Sequence, residues 1–209
     1  MEILLTIAIP TIEQRKEFFN EFYNEVKKQS QPYGEQIEII YLSDNKEISI
    51  GRKRQLLNQM AKGKYVVQWD DDDWIDEKAI DMIMEGIKSD CDVISYNIFS
   101  DVPEGSPVHS YNQYYSIKFD NHIDINHDTK SVFFTPTQKM VIKTEIAKSV
   151  KFFDIRFGED SYYGRDIKAL LKTEYYIDRF LYQYLNRTKE KYFENIPNRF
   201  GMKNNMRLI

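Results

Sequence analysis

The chain has 209 residues, 42% of them hydrophobic, which is enough for one domain with a sizeable core. A formal net charge of −4 argues against a general electrostatic attraction to nucleic acid, although it leaves room for a local basic patch. Cys91 is the only cysteine, so no disulfide can form within the chain, and we predict a reducing, cytoplasmic location.

No apolar run reaches the roughly 18 residues that a membrane-spanning helix requires, so a membrane span is not expected. The apolar start at residues 3–9 has no basic region before it and runs into Pro10 without a cleavage signal. We therefore interpret it as a first β-strand and not as a signal peptide.

Apolar runs typical of buried strands alternate with amphipathic helical patterns over the first 99 residues. The predicted strands are residues 4–9, 37–42, 65–67 and 92–99. This alternation predicts an α/β fold: a single-domain, doubly wound, mainly parallel sheet flanked by helices. Residues 1–99 are its predicted nucleotide-binding half, and residues 100–185 form a second half with a small antiparallel region.

One of the predicted helices covers residues 52–61 and ends at Gly63. Its predicted buried face is Leu56, Leu57, Met60 and Ala61. Arg52 and Arg54 of this helix fit two interpretations equally, as solvated surface residues or as positive charges near a ligand.

Polar residues follow three of the predicted strands directly. Pro10 and Thr11 follow the first strand, Asp44 follows the second, and the aspartates at 70–73 follow the third. Because crossovers in such sheets are right-handed, ligand-binding loops collect at the carboxyl ends of the strands. We therefore predict a nucleotide-type crevice at this edge of the sheet.

The four aspartates at 70–73, the acidic block, stand between Trp69 and Trp74 beside a strand that is expected to be buried. Carboxylates in such a place are costly to desolvate unless they are paired or bound to a metal. Their oxygen ligands suit Mg²⁺ or Mn²⁺, so we predict a divalent metal site. The alternative is a solvated turn that caps the next helix.

Residues 120–128 contain His122 and His127, but not at a spacing typical of metal ligands. We interpret this segment as a strand with one polar face and leave open whether either histidine contributes to a site. The polar segment 186–209 is predicted to be a C-terminal extension.

Glu159 and Asp160 follow Gly158 at the start of a predicted helix whose apolar face includes Tyr163 and Ile167. The pair has two interpretations from its residues alone. It consists either of catalytic carboxylates or of acidic residues that stabilise a helix N-terminus.

Six short motifs occur in the order typical of one enzyme family across residues 3–185. They lie at residues 7–11, 42–45, 54–55, 61–65, 70–73 and 158–160, the last followed by Arg165. In this ordered set the chain resembles the family 2 glycosyltransferases, which are inverting enzymes with the A-type nucleotide-sugar fold. The resemblance implies a hexosyl- or pentosyltransferase that moves a sugar from a nucleotide diphosphate sugar, linked to uridine, to a hydroxyl acceptor.

The resemblance also implies which residues hold the donor. It assigns the nucleotide to Pro10, Thr11, Asp44, Arg54 and Asp70. It assigns the Mn²⁺ or Mg²⁺ that bridges the diphosphate to Asp72, together with Asp70 and with help from Asp73.

On the acceptor side, the resemblance makes Asp160 the general base and Glu159 a positioning or acceptor contact. An inverting transfer needs one base within hydrogen-bond reach of the attacking hydroxyl. The chain departs from some family members in having no histidine after His127 to contact the metal or phosphates. Water or the diphosphate would then complete the metal coordination.

Three alternatives stay open at this point. The chain is a related enzyme that glycosylates modified DNA bases, a metal-dependent nuclease or phosphotransferase, or a nucleotide-binding module without chemistry. The acceptor is a saccharide, a protein or modified DNA, and we place saccharide first because the net charge does not favour DNA. The sequence does not determine the oligomeric state.

Overall fold

The three-dimensional structure is a computed structural model that describes residues 2–101, 111–119 and 123–185. The predictions for His122 and for the extension at 186–209 lie outside these residues. Every other residue predicted to form a site lies inside them.

Ten strands of the described residues pair into one mixed sheet. They are β1 (Leu5–Ile12), β2 (Ile37–Asp44), β3 (Tyr65–Gln68), β4 (Trp74–Ile75), β5 (Val93–Asp101), β6 (Asn112–Tyr115), β7 (Ile123–Asn126), β8 (Ser131–Phe134), β9 (Val141–Lys143) and β10 (Glu174–Leu185). The order is β2-β1-β3-β9-β5-β6-β8-β7, and β10 pairs with β5 and β4. β1 runs parallel to β2 and β3, whereas β9 lies antiparallel between β3 and β5.

Five α-helices of the described residues flank the sheet. They are α1 (Lys16–Ser30), α2 (Ile50–Met60), α3 (Ala79–Ile87), α4 (Thr144–Ser149) and α5 (Glu159–Lys168). α1 contacts α3, whereas α2 contacts α4 and α5, as expected when right-handed crossovers place α1 and α2 on opposite faces. The predicted fold class is confirmed as a mixed, mostly parallel sheet flanked by helices.

The core lies on both faces of the central strands. Leu5, Ile7 and Ile9 of β1 have no exposed surface and belong to one core cluster with Phe22 of α1 and Ile80 of α3. Burial of each such side chain contributes about 1.5–3 kcal/mol to folding. Within the described ranges, no helix combines the length and the apolar character that crossing a bilayer demands.

The prediction for the buried face of α2 is wrong in part. Leu57 is buried, but Met60 is 46% exposed, and the face turned inward also carries Lys53 and Arg54. Apolar spacing did not predict this face correctly, because two of its buried residues are cations. Lys53 pairs with Asp44 and Arg54 pairs with Asp70 at the carboxyl ends of the strands.

Gly63 has a different role from the predicted helix end. α2 already ends at Met60, and a Cβ on Gly63 would lie 2.6 Å from the backbone nitrogen of Thr6. A glycine is therefore required because the chain passes very close to β1 as it enters β3.

Candidate active site

A cavity of about 600 Å³ opens at the carboxyl ends of the parallel strands, a volume typical of ligand sites. Most of the predicted site residues line it. They are Pro10, Thr11, Arg54, Asp70, Asp72, Glu159 and Asp160. Asp44 and Asp73 do not line this cavity, and neither does His127, which contacts the hydroxyl of Tyr111 at 3.0 Å.

Asp70 lies between two cations. Arg54 Nη2 donates to its Oδ1 at 2.7 Å, and Lys139 Nζ lies 2.8 Å from its Oδ2. Burial alone would raise the pKa of Asp70, but Arg54 and Lys139 together hold this pKa well below its usual range. Asp70 is therefore a negatively charged carboxylate that lines the cavity.

Asp71 and Asp72 share one cation, Arg15. Arg15 Nη2 lies 3.0 Å from Asp71 Oδ1, and its Nη1 donates to Asp72. Asp71 is fully buried and also accepts from Thr11 Oγ1 at 2.5 Å, whereas the Asp72 side chain is 30% exposed and lines the cavity. Burial raises the pKa of Asp71 to about 7, although Arg15 opposes this. Asp71 therefore lies in the protein interior, whereas Asp72 lines the cavity.

Asp73 points away from the cavity into the protein. It is 1% exposed, accepts from the backbone N–H of Leu185 at 2.9 Å and from the Tyr182 hydroxyl, and lies 3.1 Å from Lys139 Nζ. Burial raises the pKa of Asp73. The sequence-based prediction placed Asp73 beside the metal; in the structure it instead holds Lys139 against Asp70.

Asp44 forms an ion pair with Lys53 and accepts from the backbone N–H of Ile48 at 2.9 Å. Lys53, which also donates to the Thr11 carbonyl, lines the cavity in its place. Asp44 was predicted to hold the uridine, but it does not line the cavity. Asp44 instead positions the cation that does face the cavity.

Arg54 joins the acidic block to α5. While its Nη2 binds Asp70, its Nε donates to Glu159 Oε1 at 3.0 Å, and Arg54 is only 4% exposed. Its third nitrogen, Nη1, is buried without a hydrogen-bond partner among the described residues. Arg54 thereby links the acidic block to the start of α5 across the cavity.

Asp160 stands beside Glu159 but has a different environment. Gly158 adopts φ +81° at the start of α5, and Glu159, the first residue, is 5% exposed. Asp160 lines the cavity, is partly exposed, and accepts from the backbone N–H of Ser161 at 2.8 Å. Thus Glu159 is occupied by Arg54, and Asp160 is the carboxylate that a ligand can reach.

The loop before α5 is tied to the start of α2. Gly51 N–H donates to the Ile155 carbonyl at 3.1 Å, and Ser49, which caps α2, donates to Asp154. A Cβ on Gly51 would lie 1.8 Å from the carbonyl oxygen of Phe153. This contact places the loop that leads to Asp160.

Replacing Gly51 with alanine is expected to lower the free energy of unfolding by about 1–3 kcal/mol, because the backbone at 153–155 must move away from the added methyl group. Urea unfolding measures this change. Arg52→Ala, at the exposed neighbouring position, is the control and should shift stability by less than about 0.5 kcal/mol. An unchanged midpoint for Gly51→Ala would contradict the contact.

Sequence reasoning missed three cations of the site. Arg15, Lys53 and Lys139 all contact predicted carboxylates, and all three line the cavity. Lys53 adjoins Arg54 and had a signal in the basic run 52–54. Lys139 had none, because it reaches Asp70 only through the insertion of β9 between β3 and β5.

The cavity wall carries more positive than negative charge. Six cations (Arg15, Lys46, Lys53, Arg54, Lys139 and Arg156) line it with four carboxylates (Asp70, Asp72, Glu159 and Asp160). A wall with a net positive charge favours an anionic ligand.

Asp70 and Asp72 suit a hard divalent cation. No three His, Cys, Asp or Glu side chains converge on a closed metal site within residues 2–101, 111–119 and 123–185. Mg²⁺, however, is commonly held by one or two carboxylates together with substrate phosphate oxygens. Two carboxylates separated by one residue and facing the same cavity provide such a donor set.

A family model described as Glycosyl transferase family 2 matches residues 23–150, more than half of the chain. The chain belongs to this family. The match includes Arg54, the acidic block and Lys139, whereas Arg15 and Asp160 lie outside the matched residues.

The fold of this family 2 glycosyltransferase is similar to solved structures of other glycosyltransferases. S. aureus TarS 1-349 in complex with UDP-GlcNAc is 14% identical, with a TM-score of 0.62, covering 88% of this chain and 59% of that chain. The catalytic domain of Drosophila beta1,4galactosyltransferase 7 in complex with xylobiose is 13% identical, with a TM-score of 0.51, covering 90% of this chain and 73% of that chain. The chain spans less than two thirds of TarS 1-349. No curated protein matches the sequence.

Proposed function

We propose that this chain transfers a sugar from a uridine diphosphate sugar to a hydroxyl acceptor with inversion, using Mn²⁺ or Mg²⁺ and Asp160 as general base. The observation that carries the proposal is that Asp72 and Asp160, distant in sequence, line one cavity. Family membership and the likeness of the fold to a structure with bound UDP-GlcNAc support the choice of donor.

The donor end is assigned to the strand ends around the acidic block. Pro10 and Thr11 line it for the nucleoside, and Lys53 takes the place beside them that Asp44 was expected to fill. Arg54 has a buried nitrogen without a partner among the described residues, and a phosphate oxygen is a suitable acceptor for it. These residues position the donor and neutralise the diphosphate.

Asp72 and Asp70 are the proposed ligands of the divalent ion. A divalent ion held there would supply positive charge to the leaving diphosphate, which is the main electrostatic demand of the reaction. Asp73 is left out of this site because it faces the interior.

Asp160 is the proposed base. It accepts the proton of the acceptor hydroxyl while that oxygen forms a bond to the anomeric carbon and the bond to the diphosphate breaks. Glu159 does not compete for the proton because its carboxylate is buried against Arg54. Attack from the side opposite the leaving group inverts the anomeric centre.

A saccharide is the proposed acceptor, ahead of a protein or a modified DNA base. Phe157, immediately before the Gly158 turn, lines the cavity with 93% of its surface exposed, and Tyr184 lines it with 40% exposed. Exposed aromatic faces stack on the apolar faces of sugar rings as well as on bases. The net charge of −4 disfavours DNA.

The donor assignment predicts that UDP binds in the presence of Mn²⁺ and that Asp72→Asn weakens this binding by about 10-fold or more, since one ligand of the ion is lost. Isothermal titration calorimetry of UDP at fixed MnCl₂ measures the effect. Asp128→Asn removes an exposed carboxylate away from the cavity and is the matched control.

Two results would count against the proposed function. One is the absence of binding to any nucleoside diphosphate by the unaltered protein. The other is cleavage of DNA or RNA without a sugar donor, which would favour a metal-dependent nuclease.

A further inference from the structure

Arg15 occupies Asp72, one of the two carboxylates that are proposed to hold the divalent ion. Its guanidinium donates to Asp72 through Nη1 and pairs with Asp71 at 3.0 Å through Nη2. In the described part of the chain, no other cation forms an ion pair with Asp72. A metal ion that binds Asp72 must therefore compete with Arg15.

The two partners of Arg15 differ in how firmly they are fixed. Asp71 is fully buried and bound by Thr11 Oγ1, so its own position is fixed, although its Oδ1 accepts no hydrogen bond from the guanidinium. Asp72 is 30% exposed, and the Arg15 side chain is 29% exposed on the same side. The Asp72 side of the guanidinium is therefore the side that a metal ion and a diphosphate could reach from the cavity.

A released Arg15 would still face the cavity. It lines the wall, as do Asp70 and Asp72, and its Nε is buried without a hydrogen-bond partner among the described residues. A guanidinium that already carries a full charge and has free donors binds phosphate oxygens strongly and often in a bidentate manner. The diphosphate of the donor is the phosphate group expected beside Asp72.

We propose that Arg15 is a further donor-binding residue, which gives up Asp72 to the divalent ion and binds the diphosphate instead. The inference rests on the proposed function, because it requires a diphosphate and a metal in this cavity. It follows that the free protein binds metal weakly and that metal and nucleotide bind cooperatively. The ion releases Arg15 for the diphosphate, and the diphosphate, by binding Arg15, leaves Asp72 free for the ion.

The test uses Arg15→Met, which removes the charge but keeps most of the side-chain volume. Free Mn²⁺ is measured by electron paramagnetic resonance in titrations of the protein without nucleotide, and UDP binding is measured by calorimetry at fixed Mn²⁺. We expect Mn²⁺ to bind the variant about 10-fold more tightly, because Asp72 is no longer occupied, and UDP to bind about 10-fold more weakly.

Arg156→Met is the matched control, because it removes the same charge from the cavity wall at a residue that donates to the Lys46 carbonyl and not to Asp72. Its Mn²⁺ affinity should stay within about twofold of the unaltered protein. Equal tightening in both variants would overturn the inference, since the effect would then come from the general field of the cavity. Asp72→Asn in the Arg15→Met background should abolish the tightening, and its persistence would also overturn the inference.

Loss of Arg15 leaves Asp71 buried without its cation, so the thermal stability of each variant is measured as well. If Arg15→Met does not fold, Arg15→Gln is used in its place. UDP binding by the unaltered protein together with unchanged Mn²⁺ and UDP affinities in the Arg15 variant would overturn this inference alone. Failure of the unaltered protein to bind any nucleoside diphosphate would overturn the proposed function, and with it the role of Arg15 at the donor.

Discussion

Replacing Asp160 with asparagine is expected to slow sugar transfer by about 10²- to 10⁴-fold, the usual contribution of a general base. The amide keeps the size of the side chain and the hydrogen bond to the Ser161 N–H, but it cannot accept a proton. UDP affinity should stay within about twofold, because the proposed role of Asp160 is toward the acceptor and not toward the nucleotide. UDP release from a UDP-sugar with a saccharide acceptor measures the rate, and calorimetry measures the affinity.

Asp166→Asn is the matched control, because Asp166 is a partly exposed carboxylate on the same helix that pairs with Arg165 away from the cavity. It should retain full activity. Equal rates for Asp160→Asn and the unaltered enzyme would exclude Asp160 as the base. They would revive the interpretation of Glu159 and Asp160 as acidic residues that stabilise the start of α5.

Replacing Arg54 with methionine should cost about 3–5 kcal/mol of folding free energy, the largest stability effect that we expect from a single change. The side chains of Asp70 and Glu159, with exposures of 16% and 7%, would both lose this cation. Lys139 still pairs with Asp70, so the greater part of the loss should come from Glu159. Urea unfolding monitored by tryptophan fluorescence measures the change.

A double-mutant cycle separates the two ion pairs of Arg54. If Glu159 is the main source of the loss, Arg54→Met with Glu159→Gln should recover part of the stability, because no unpaired charge then remains at that position. Arg52→Met, an exposed arginine on the same helix, should cost less than about 0.5 kcal/mol. Similar losses for Arg52→Met and Arg54→Met would contradict the buried bridge.

The larger part of the fold could be predicted from the sequence. The alternation of apolar runs and amphipathic patterns identified β1, β2, β3 and β5 and the helices between them, because burial on one or both faces imposes its period directly on the residues. The antiparallel position of β9 could not be predicted in this way. A three-residue strand is too short to show a hydrophobic period, and its place in the sheet depends on long-range pairing with β3 and β5.

The candidate site, like the fold, could be predicted from the sequence only in part. The sequence by itself determined which polar residues follow the strands, and the resemblance to the family grouped Thr11, the acidic block and the Glu159–Asp160 pair as one predicted site. Only the tertiary structure decided how their charges are balanced: Arg15 binds Asp72, Lys139 joins Asp70 to Asp73, and Lys53 covers Asp44.

The physical reason is the difference between local and long-range interactions. The position of a carboxylate at a strand end follows from neighbouring residues, whereas its partner depends on helices and loops that pack from elsewhere in the chain. An isolated carboxylate in a buried setting needs a cation, but the sequence does not say which one supplies it. The acidic block thus already has three cations of its own, and the proposed divalent ion has to compete with Arg15 for Asp72.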